Sequence, residues 1–123
     1  MQLLLYSSGD ARNKDRLEAA VHEVIPAGKI ELFKRLDDFG QRLRRPIEPN
    51  SIAVLRASNR EELQQMQLFR ELLTEIYIVL VIPDRKKSTI ELAHLLLPRF
   101  LSQQKSDFTD LKIVLNKIYT NPH

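Results

Sequence analysis

Few residues in this chain have the type and spacing that chemistry requires. There is no cysteine, which excludes thiol nucleophiles, disulfides and cysteine-bound metals. The three histidines are His22, His94 and His123, and none stands four residues from another beside a helper carboxylate, the spacing that helical metal sites use. They read as surface or boundary residues. Ser7-Ser8-Gly9 sits between an apolar run and a helical pattern, where a helix N-terminus can receive a phosphate. It lacks the Walker lysine and the spaced glycines of phosphate loops, so a turn is the plainer reading. Asp10 and Asp84 follow apolar runs and also read first as turn residues. Basic residues gather in Lys34-Arg35, in Arg42 with Arg44-Arg45, and in Arg85-Lys86-Lys87. The arginines after Phe39 fit a solvated helix end, where positive charge complements the helix dipole. Arg85-Lys86-Lys87 falls in a loop where α/β folds place ligands. An acidic partner or nucleic acid is the alternative reading of these clusters.

These groups must be held by regular elements, and the hydrophobic pattern supplies them. The chain of 123 residues is 43% apolar and 28% charged, which is the composition of a soluble globular domain. It is read as a single domain over 1–123. A net charge of +3 is small for a dedicated nucleic-acid binder. The opening Met1-Gln2-Leu3-Leu4-Leu5-Tyr6 has no basic leader and is too short an apolar run for a signal peptide. No stretch approaches the roughly 18 apolar residues of a membrane span. The expected location is the cytoplasm, with no membrane partner.

Leu3-Leu4-Leu5-Tyr6, Ile30-Glu31-Leu32-Phe33, Ile52-Ala53-Val54-Leu55 and the run 76–82 are short, apolar and β-prone, as strands buried on both faces are. Arg99-Phe100-Leu101-Ser102 suits an edge strand. Helical spacing links Leu17, Ala20, Val21, Val24 and Ile25, then Leu36, Phe39 and Leu43, then Leu63, Met66, Phe69 and Leu73. A fourth helix carries Leu92, Leu95 and Leu96, and a fifth carries Phe108, Leu111, Leu115 and Ile118. Gly40 weakens the second helix and Pro46 ends it. Ser58-Asn59 before Glu61-Glu62, and Ser88-Thr89 before Glu91, read as capping boxes. Asp107 can cap the last helix. Five strand–helix repeats predict an α/β fold: a three-layer, flavodoxin-like sandwich whose five-stranded parallel sheet runs 2-1-3-4-5, with helices on both faces.

In element order, element length and loop position the chain resembles the receiver domains of bacterial response regulators, which serve two-component signalling. The likeness runs from Leu3 to the last helix. Its closest local part is Arg99-Phe100-Leu101-Ser102 through Asp107 to Leu111, where receivers have a short strand with an aromatic, a Lys-Pro turn and a final helix. The resemblance implies where a phosphoacceptor pocket would lie, and this sequence departs from it throughout. The acidic pair that holds magnesium falls on Ser7 and Ser8. The phosphorylated aspartate falls on Arg56, and no acidic residue occurs within 51–58. The Ser or Thr of the fourth strand falls on Val81 or Ile82. The lysine of the fifth falls on Gln103, with Gln104 in place of the proline and Lys105 nearby. Phosphoryl transfer to a carboxylate needs an oxygen nucleophile and a cation held by oxygen ligands, and arginine offers neither. Arg56 would be expected to pair with Asp10 or Asp84 and fill the vacated pocket.

The expectation is a degenerate, or pseudo-receiver, module. It is not an enzyme and needs no metal or cofactor. It binds a protein partner through a face that the resemblance places at Arg99, Phe100 and Lys112. A second copy of the chain is one option for that partner. The competing readings are a nucleic-acid-binding domain using the basic surface, and a small enzyme or small-molecule binder of unrelated chemistry.

Overall fold

The computed structural model describes residues 1–8, 11–104 and 106–120, and for 11–15 the backbone alone. Asp10, Lys105 and His123 lie outside the described residues, as does Gly9 of the first loop. One parallel sheet contains β1 (Leu3–Ser7), β2 (Ile30–Phe33), β3 (Ile52–Arg56), β4 (Tyr77–Ile82) and β5 (Phe100–Gln103), in the order 2-1-3-4-5. The connecting helices are α1 (Ala11–Val24), α2 (Leu36–Leu43), α3 (Arg60–Met66) and α4 (Lys87–His94), and α5 (Thr109–Thr120) follows β5. This is the flavodoxin-like architecture that the apolar runs predict.

Every residue of β1 and β3 is buried, and so is every residue of β4 after Tyr77. Alternation along the strands divides them between two cores. Leu4, Tyr6, Ala53, Leu55 and Leu80 pack with Phe39, Leu63, Met66 and Ala93. Leu3, Leu5, Val54, Val79 and Val81 pack with Leu17, Val21, Leu111 and Leu115. Thus α2, α3 and α4 cover one face while α1 and α5 cover the other. Burying each such side chain contributes about 1.5–3 kcal/mol, so the three central strands are the energetic centre of the domain.

The structure corrects four details. The third helix is α only to Met66, and Gln67–Leu73 tightens into a 3-10 helix. This leaves Met66 and Leu73 buried but Leu68 82% exposed. The tighter turn seats the Phe69 ring against Gly40, where an added Cβ would meet Phe69 Cε1 at 2.5 Å. Gly40 is therefore a packing position and not merely a weak point in α2. The fourth helix starts at Lys87, and no side chain of its N-cap, Lys86, bonds to it. Asp84 closes the preceding turn instead, accepting from the Lys86 N–H at 2.9 Å. Within α4 it is Thr89 and Ala93 that are buried, while Leu95 is half-exposed. The capping at Asn59 is as expected, for its side chain accepts from the Glu62 N–H.

The fourth correction concerns Arg42, which is not part of a solvated cluster but 7% exposed. Its guanidinium bonds Glu31 Oε1 through Nε at 2.9 Å, Gln2 Oε1 at 3.0 Å and the Pro46 carbonyl at 3.2 Å. Gln2 Nε2 returns a bond to Glu31 Oε2 at 2.6 Å. The network ties β1, β2 and the end of α2 together at the amino ends of the strands. A partly buried guanidinium left without its carboxylate is costly, which is why the pair is met on several sides.

Two outcomes follow from these contacts. Arg42→Ala should cost about 2–3 kcal/mol in urea unfolding, whereas Arg44→Ala, at an exposed neighbour, should change stability by less than ~0.5 kcal/mol. Gly40→Ala should destabilise the protein by about 1 kcal/mol because Phe69 is displaced from Phe39. In a Phe69→Ala background the same change should stabilise by roughly 0.5–1 kcal/mol, since only the helix propensity of alanine remains. The sign reversal in the double-mutant cycle is the test.

Candidate functional site at the carboxyl ends of the strands

Parallel strands deliver their exit loops to one rim, and all the residues expected to line a vacated pocket arrive there. Ser7 of β1 lies beside Arg56 of β3, which lies beside Val81 of β4. Gln103 of β5 is one step further along, beside Ile82. Ser8 is exposed just beyond β1. Alternation turns Ser7, Arg56 and Val81 to the sheet face covered by α1 and α5.

Arg56 is 2% exposed and donates from Nη1 to Ser7 Oγ over a long 3.4 Å. A guanidinium so far from water is expected to have an acid nearby. Of the two acids expected there, Asp10 lies outside the described residues. Asp84 does not supply the pair. Its carboxyl is held below the usual carboxylate range first by the Lys86 backbone N–H, and the positive charges acting on it are Lys86 and Arg60. The bond from the Lys86 N–H keeps Asp84 in its own turn.

Two further residues organise this rim, Glu62 and Gln104, which the sequence marks only as a capping-box member and as the residue in the place of a receiver's proline. Glu62 accepts from Tyr6 Oη at 2.7 Å, from Ser8 Oγ at 2.5 Å and from the Ser58 N–H at 2.8 Å. It thereby joins β1, the loop after β3 and α3. Its place in a capping box was legible in the sequence, but its reach to β1 depends on the sheet order. Gln104 donates from Nε2 to the Ala57 carbonyl at 2.8 Å and from its backbone to Ile82 at 3.1 Å. With the bond from the Ala57 N–H to the Val81 carbonyl at 2.9 Å, it laces the ends of β3, β4 and β5 together. The Gln103 amide lies against the Arg85 guanidinium, whose donors assign its oxygen to that side, where it accepts from Nε and Nη2.

The magnesium that receivers hold at this rim does not suit these residues. Ser7 Oγ already faces a buried cation, and a second cation there would be repelled by Arg56. The fourth strand offers Val81 and Ile82, which have no side-chain oxygen. Among the described residues no three His, Cys, Asp or Glu side chains converge as a metal would require.

The expected interaction face is only partly one surface. Arg99 is exposed and stacks its guanidinium over the Tyr77 ring at 4.7 Å. Phe100 is half-buried against the core under α1 and α5. Lys112 is engaged elsewhere, paired with Glu23 of α1 at 2.8 Å. It thus belongs to the α1–α5 seam and not to a free docking patch beside Phe100. The reason is the packing of α5 on α1, which brings that face of α5 over Glu23.

Comparison with known proteins adds the fold. A response regulator from Colwellia psychrerythraea superposes with a TM-score of 0.73 at 13% identity, over 97% of this chain and 96% of that one. A protein described as pilus assembly-related from Burkholderia pseudomallei gives 0.70 at 18%, over 98% and 90%. A pilus assembly protein from Burkholderia thailandensis gives 0.69 at 18%, over 98% and 100%. No protein-family model matches the chain, and no curated protein matches it in sequence. The chain has a receiver-like fold. No helix among the described residues is long and apolar enough to cross a membrane.

The rim carries one pH-dependent group whose sign can be worked out. Burial, and then the adjoining Glu62 carboxylate, raise the Tyr6 phenol well above its ordinary 10.0, against the Ser8 hydrogen bond. The native state therefore keeps Tyr6 neutral where the unfolded chain ionises. Its contribution to stability is complete below about pH 10 and is lost as pH rises beyond that. Spectrophotometric titration should show one of the three tyrosines ionising only with alkaline unfolding, and Tyr6→Phe should abolish that late step.

Proposed function

We propose that the chain is a phosphorylation-independent, receiver-like interaction module, acting in the cytoplasm through contacts with a protein partner and catalysing no reaction. The observation that carries this reading is Arg56, a buried guanidinium at the end of β3, at the level where receivers place the phosphorylated aspartate. It supplies positive charge and no nucleophilic oxygen. Ser7, Ser8 and Gln103 are equally unsuited, since the first two are weak magnesium ligands and the third carries no charge to meet a phosphoryl group. The lacing by Glu62 and Gln104 supports a rim held in one arrangement. Two of the structural neighbours are described by pilus assembly, which fits a fold used for protein contacts.

The nucleic-acid reading loses ground, because Arg42 is withdrawn from the basic surface into an ion pair with Glu31. The charge left exposed is divided between opposite ends of the strands, with Arg44 and Arg45 at the amino ends and Lys34, Arg35, Arg85, Lys86 and Lys87 at the carboxyl ends.

Incubation with acetyl phosphate and magnesium should leave the intact mass unchanged, and magnesium should not alter the melting temperature. Arg56→Asp alone should also remain unmodified, because the acidic pair and the lysine are still missing. A stable gain of one phosphoryl group by the unaltered protein, removed by changing a single acidic residue, would overturn the reading.

A further inference from the structure

β5 is an edge strand, paired on one side with β4, and each of its four residues is partly exposed. Phe100, Leu101, Ser102 and Gln103 all line a groove of about 310 Å³, whose walls are Arg85 on one side and Ser106 and Asp110 on the other. Arg99 donates its backbone N–H to Ile78 of β4 at 2.7 Å. Because backbone groups alternate along an extended strand, Phe100 and Ser102 turn theirs toward the open edge. Natural edges are usually blunted by a bulge, a proline or a covering loop, and β5 has none of these among the described residues. A second, smaller cleft of about 140 Å³ adjoins the groove, sharing Arg85, Leu101, Ser102 and Gln103 and adding Ile82 and Ile90. It has the volume of about five waters, and Ile82, Ile90 and Leu101 make it largely apolar.

The charge at this edge has a sign. Arg85 and Lys86 are exposed in the β4–α4 loop, and Lys87 is exposed at the start of α4. Gln103 occupies the Nε and Nη2 edge of Arg85, which orients the guanidinium and leaves Nη1 to meet an acceptor. Opposite stands Asp110, the acid among the described residues that line the groove.

We propose that β5 accepts an extended, acidic segment of a protein partner as a sixth strand, with an aliphatic side chain in the Ile82–Ile90–Leu101 cleft and a carboxylate on Arg85. Main-chain bonds at Phe100 and Ser102 supply affinity, and the cleft and the arginine supply selectivity, as in other strand additions. This rests on the interaction-module reading and specifies the partner's conformation and charge.

The test uses the full chain, isotopically labelled, titrated by NMR with the capped peptide Thr-Val-Thr-Leu-Asp-Glu. Amide shifts should centre on Phe100 and Ser102. Arg85→Glu should weaken binding about tenfold or more, as should replacing both peptide acids by lysine. A peptide N-methylated at alternate amides should not bind, since it cannot form the ladder. Equal binding of the N-methylated peptide, or no shift along β5 at millimolar peptide, would overturn strand addition. That failure is distinct from failure of the module reading, which rests on the acetyl phosphate result and not on β5.

Discussion

A parallel strand that is dry on both faces must have every backbone group bonded to neighbouring strands and every side chain packed against a helix. β1, β3 and β4 are such strands, and the rest of the structure depends on satisfying them. A right-handed crossover puts its helix on the face set by the direction the chain moves across the sheet. So α1, which leads outward to β2, takes one side, and α2, α3 and α4, which lead the other way, take the opposite side, with α5 returning beside α1. All five exit loops then meet at a single rim. The candidate site is a consequence of that arrangement before any residue in it is considered.

What the rim can do is decided by charge in a place with little water. A carboxylate cluster there would gather a metal ion, whereas Arg56 inverts the sign at the central position. The surrounding bonds are those of a closed structure. Glu62 gathers two hydroxyls and a backbone N–H, and Gln104 spans from β5 to the loop after β3. In the proposed reading this rim is a fixed scaffold, and function moves to the exposed edge beside it. The amino ends of the strands show the same logic, with Arg42 drawn inward because Glu31 and Gln2 are placed to receive it.

Local pattern and tertiary packing disagreed where a residue's partner lay far away in the chain. Spacing puts Phe69 on a helical stripe, but its ring fits where Gly40 leaves room, and the backbone leaves the α conformation after Met66. Leu95 has a core residue's chemistry yet lies half-exposed, because Ala93 and Thr89 take the inward positions of α4. Likeness to receivers puts Lys112 on a docking face, and Glu23 of α1 pairs with it. For Phe69 and Lys112 the deciding atom comes from another element, which periodicity within one segment cannot see, whereas for Leu95 it is the rotation of α4 itself.

The sequence by itself determined the element order, the parallel sheet and its 2-1-3-4-5 topology. Continuous apolar runs separated by amphipathic helices have few other ways to bury themselves. It also determined that Ser7, Arg56, Val81 or Ile82, and Gln103 would lie at the carboxyl ends of their strands, since those ends share one rim in any such fold. Only the tertiary structure decided that Arg42 is buried, that Asp84 turns away from Arg56, that Glu62 reaches β1, and that β5 faces an open groove. Those outcomes depend on distances between side chains brought together by folding, and spacing along the chain carries no record of them.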